Sequence, residues 1–119
     1  MYGVAPYSTR SPLNPRALVP GRGNALTTPA EVADALAGTR AFVTKMFNSV
    51  KEARAAGKSL QQAYDETYAN LKPEFGHWVI FDHCLPFDVT RAYDEAGGTR
   101  DPRIWTAERD AEMWQSLAR

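Results

Sequence analysis

A chain of 119 residues is one domain at most by size, and its 44% apolar content is enough for a core. A mean hydropathy of -0.44 and the lack of any apolar run near the ~20 residues of a spanning helix argue against a membrane protein. Fourteen Lys/Arg balance fourteen Asp/Glu, so no net field draws in nucleic acid or anionic lipid.

Residues 1–16 hold three prolines among Ser, Thr, Asn and Gly, with Tyr2 and Tyr7, and show no helical or strand period. They read as an extended or disordered arm, and residues 17–119 as a single helical domain. The start MYGVAPYSTR carries neither the basic opening nor the continuous apolar stretch of a secretory signal. Cys84 is the only cysteine, which excludes an internal disulfide and fits a reducing compartment. The expected location is cytoplasmic.

Ala17, Leu18 and Val19 suit one short strand or turn, too short to make a sheet alone. Pro20 follows, and Gly21 and Gly23 bracket Arg22, which places that side chain at the tip of a tight turn. Thr28, Pro29 and Glu31 then form a capping box. Val32, Leu36, Thr39, Phe42, Val43, Met46, Phe47, Val50 and Ala53 recur at helical steps until Gly57 stops them. This predicts a helix over 29–56, roughly 40 Å long.

Ser59 and Gln62 make a second capping box, with Leu60, Ala63, Tyr64, Thr67, Tyr68 and Leu71 on one face. Pro73 is expected to end this helix, and the short Gly57–Lys58 link favours an antiparallel pair. The stretch HWVIFDHC, 77–84, suits a buried strand or a buried helix; its helical surroundings favour helix, broken at Pro86. Phe87 to Ala96 reads as a further helix stopped at Gly97–Gly98. Asp101–Pro102 opens a last segment with an apolar stripe of Ile104, Trp105, Met113, Trp114 and Leu117. The fold class is therefore mainly α: a small bundle of about four helices, with an extended N-terminal arm and one short strand or turn.

The residue types for chemistry are sparse. His77, His83 and Cys84 are the candidate metal ligands. On a helix, His77 and Cys84 share a face while the two histidines point about 120° apart; on a strand the histidines lie about 20 Å apart. Neither geometry converges the three protein ligands of a catalytic zinc site, so buried or half-buried packing is the expected role. Cys84 beside His83 is expected to be structural, because nucleophile–base pairs meet from distant segments. Asp82, Asp88 and Asp94 recur at spacings of six, which is not a single helical face; with Glu95 they read as surface charge, with Asp88 as an N-cap. Trp78, Trp105 and Trp114 either fill the core or form a contact surface for another polypeptide. No catalytic residue is assigned.

The stretch LVPGRGNAL followed by a capped helix resembles the final part of a metallo-β-lactamase-fold hydrolase, where a late strand ends in P-G-H-G. AGKSLQQAYDETYANLKPEFGHWVIFDHCLPFDVTRAYDE is similar to helical C-terminal extensions of bacterial members. The resemblance covers roughly 16–119. It implies a dinuclear, usually zinc, centre whose P-G-H-G histidine falls here on Arg22. A guanidinium has donors only and is no ordinary metal ligand, so Arg22 becomes a candidate for holding a substrate anion. The H-x-H-x-D-H ligand signature is absent from this sequence, so no cofactor is expected in this chain itself. The leading expectation is a non-catalytic C-terminal helical segment that packs against itself, as a homo-oligomer, or against a metallo-β-lactamase-fold partner. The alternatives are a metal-dependent hydrolase completed by another chain, with Arg22 and His83 contributing, and a free-standing helical binding module.

Overall fold

The computed structural model describes residues 13–118, so most of the arm assigned to 1–16 lies outside the described residues. The chain divides into two compact units, 1–41 and 42–119. Four helices are present among the described residues: α1 (Pro29–Ala55), α2 (Leu60–Phe75), α3 (Phe81–Ala96) and α4 (Ala107–Leu117). The architecture is mainly α, with about the expected number of helices.

In the first unit the short strand is reduced to one antiparallel bridge. Leu18 N–H donates to the Leu26 carbonyl at 2.9 Å, and Leu26 N–H returns the bond at 2.8 Å. The partner that Ala17–Val19 lacks in sequence is thus the far side of its own loop. Gly23 turns that loop at φ +93°, a conformation that side chains disfavour. The Thr28 box forms as read: Glu31 N–H donates to Thr28 Oγ1 at 3.2 Å, while Glu31 Oε2 accepts from the backbone of Thr27 and Thr28. Those N–H groups, Thr27 first, hold the Glu31 carboxyl below its usual range.

The second unit begins at Phe42 and contains the rest of α1. Met46 and Val50 of α1, Leu71 and Phe75 of α2, and Phe81, Leu85, Val89 and Ala92 of α3 form one buried cluster. α1 and α2 run antiparallel, since Lys45 pairs with Glu74 at 3.2 Å while Thr67 and Asn70 both reach Ser49 Oγ at 3.0 Å. α3 returns along α2, with Tyr68 Oη donating to Asp82 at one end and Tyr93 Oη to the Lys58 carbonyl at the other. Arg54 donates to the Tyr93 carbonyl at 2.8 Å and lies over its ring, so a cation sits at the negative end of α3. Of the stripe read along α1, Leu36, Thr39 and Val43 are exposed.

Both helix stops are backbone motifs. Lys58 N–H reaches Ala53 O and Gly57 N–H reaches Arg54 O around Gly57 at φ +75°; Thr99, Gly98, Asp94 and Glu95 repeat the pattern around Gly98 at φ +96°. Nothing lies within 4 Å of a Cβ at Gly57, so Gly57→Ala tests conformation alone. It is expected to cost about 1 kcal/mol in urea unfolding.

Several expectations are corrected. Pro73 lies inside α2, which continues to Phe75, and Pro86 lies buried inside α3. Each proline forfeits one N–H, so the carbonyls of Ala69 and Asp82, both exposed residues, lose their helical donor. Consequently Asp88 is a mid-helix residue and caps nothing. Residues 77–84 are neither one helix nor a strand: 77–80 form a turn, and α3 starts at Phe81. Within the last segment the helix starts at Ala107, because Thr106 in the extended region accepts from Arg109 N–H at 3.2 Å.

Candidate functional site

Arg22 stands exposed in the Pro20–Gly23 turn of the first unit, as the paired glycines imply. His77 and His83 belong to the second unit, the first in the turn before α3 and the second in its opening turn. Both are exposed, which corrects the packing role expected of them. His83 lies 6.1 Å from the Phe87 ring between centroids, and Cys84 is half-buried. Among the described residues no group of three His, Cys, Asp or Glu is gathered as a metal would require.

The polar residues instead converge where α3 meets the linker and α4. Phe87, Asp88, Arg91 and Asp94 of α3, Arg103 and Trp105 of the linker, and Arg109 of α4 line a cleft of about 370 Å³. Helical spacing accounts for one wall, since 87, 91 and 94 recur at four and three residues. The Thr106 cap fixes the other wall by placing Arg109 in the first turn of α4. Arg109 is only 8% exposed. Its Nη2 donates to Asp94 Oδ2 at 2.5 Å and its Nη1 lies 3.6 Å from Glu112. Its Nε–H is buried and has no acceptor among the described residues. Arg103 joins the same Glu112 at 3.1 Å, and Arg91 is paired with Glu95. Trp105 meets the Phe87 ring edge-on at 5.1 Å, with the Arg109 guanidinium 5.6 Å from its own ring.

Burial pushes the Asp88 carboxyl from an ordinary 3.8 up to about 6. The folded chain therefore holds this proton more tightly than the unfolded chain does. The contribution is complete below the ordinary value of 3.8 and is lost as pH rises through about 6. Asp88→Asn is expected to melt higher than the parent at pH 7, by a few degrees after solvent screening, and to match it at pH 3.5 (thermal melts across about pH 3.5–8). A constant gap across that range would contradict the assignment.

The tryptophans are not core residues. Trp78, Trp105 and Trp114 are 37%, 41% and 48% exposed, which corrects core filling. Trp78 closes the end of the core, 5.0 Å from the Phe75 ring and 5.3 Å from Phe42, with its other face outward. Beside it Val79 is 99% exposed and Ile80 36%, in the turn that 77–84 forms in place of a buried element. Val43, next to Phe42 on α1, is also exposed. The sequence reading missed Arg103 and Arg109; the Thr106–Arg109 spacing was its only local signal, and the Asp94 partner is fifteen residues away. No protein-family model matches this sequence, and no curated protein matches it.

Proposed function

We propose that this chain is a non-catalytic helical packing segment, of the kind that ends a metallo-β-lactamase-fold hydrolase, and that it self-associates through the turn between α2 and α3. The observation that carries the reading is the exposed run Trp78–Val79–Ile80. Consecutive large apolar residues facing water are costly unless another surface covers them. The patch is small beside a stable interface of ~800 Å² per partner, so association is weak, on the order of 10–100 μM. Val79→Asp places a charge at the centre of the patch without touching the core. It is expected to leave helicity unchanged and to abolish association by light scattering; association that survives it would sink the proposal.

Zinc enters this reading only through a partner that carries the H-x-H-x-D-H ligands, beside which Arg22 would hold a substrate anion. The purified chain is accordingly expected to cleave no ester, amide or thioester. Turnover abolished by a chelator and by His83→Ala would favour the alternative of a shared active site.

A further inference from the structure

We propose that the cleft between α3 and the α3–α4 linker binds a small arylalkylammonium ion through Asp88. This stands apart from the packing surface at 78–80 and would survive that reading's failure. The three arginines that line the cleft are already matched: Arg91 with Glu95, Arg103 with Glu112 at 3.1 Å, and Arg109 with Asp94 at 2.5 Å. Asp88 is the lining charge left over. Half-buried in the same wall, it has no hydrogen-bond or ion-pair partner among the described residues. Burial alone raises its carboxyl to about 6, and no neighbouring cation holds it down.

The lining charges and their partners thus come to four carboxylates (Asp88, Asp94, Glu95, Glu112) against three guanidinium groups, one negative charge in excess. A carboxylate that has lost part of its hydration without gaining a counter-ion is relieved by a charged N–H donor. Phe87 and Trp105, edge to face at 5.1 Å, supply an apolar wall beside it. The Trp105 indole N–H is taken by Asp110 at 3.3 Å, so what that ring offers a ligand is apolar surface. A volume of about 370 Å³ takes one small ring and its aminoalkyl chain. A metal cation fits less well, because it needs several oxygen ligands and the cleft has one carboxylate to spare.

The test is titration of the ¹⁵N-labelled full chain with 2-phenylethylamine at about pH 7.5, where Asp88 is ionised, following the Trp105 indole N–H and the Asp88 amide by NMR. Both resonances are expected to move saturably with a Kd of about 1 mM, typical of so small a ligand. Ethylamine lacks the ring, 2-phenylethanol lacks the charge, and phenylacetate reverses it. Each is expected to bind about tenfold more weakly or not at all. Asp88→Asn keeps the shape of the wall and removes the charge, and Trp105→Leu removes the ring. Each is expected to weaken 2-phenylethylamine about tenfold while leaving the remaining spectrum in place, and Asp88→Asn to bind the amine and the alcohol alike. No saturable movement by about 20 mM amine, equal binding of any of the three analogues to the parent chain, or full affinity in either variant would overturn the proposal.

Discussion

Leu71→Ala is expected to destabilise the second unit by about 3–4 kcal/mol in urea unfolding, and to lower Tm by about 10 °C or more. Leu71 is fully buried in the cluster that also holds Met46 and Val50 of α1 and Phe75, Phe81 and Leu85. Truncation removes three carbons from water-free packing and leaves a cavity that rigid helices close only in part. The exposed apolar residue Ile104 supplies the contrast, because Ile104→Ala removes contacts with little beyond solvent. That change is expected to stay within about 0.5 kcal/mol. Similar losses at the two positions would mean that the core is not where the helices place it.

Asp94→Ala is the second large effect, expected at about 3 kcal/mol. It removes the 2.5 Å partner of a guanidinium that cannot leave its site and leaves only Glu112, at 3.6 Å. The cost is chiefly that of a buried cation left under-compensated, rather than the loss of an attraction. For that reason Asp94→Ala combined with Arg109→Met is expected to be more stable than Asp94→Ala alone, with a coupling of about 1–2 kcal/mol in a double-mutant cycle. Simple additivity of the two changes would show that Asp94 and Arg109 act independently.

What the sequence made legible was what neighbours in the chain decide between themselves. Thr28 with Glu31, and Ser59 with Gln62, satisfy helix-start donors within four residues, so their residue types announce the caps. Gly57 and Gly98 stop helices through bonds spanning a few residues. The prolines misled because their cost depends on where the orphaned carbonyl lies. Pro73 is in the last turn of α2, and Pro86 is in the second turn of α3, each leaving the carbonyl of an exposed residue without its helical donor. Tryptophan burial is a tertiary property: once Phe75, Phe81 and Leu85 fill the core, Trp78 is left to cover its end. The cleft was illegible for the same reason, since Arg109 and Asp94 come together only through the path of the linker.

The proposed packing role would account for the apolar side chains in the turn at 78–80, where a short helix connection ordinarily carries polar residues. The most direct measurement is amide hydrogen exchange at Val79 and Ile80, compared between about 5 μM and 500 μM protein, which brackets the expected affinity. Protection of these amides is predicted to rise with concentration in the parent chain and to stay flat in Val79→Asp. Exchange rates in the parent that do not change over that range would contradict the account.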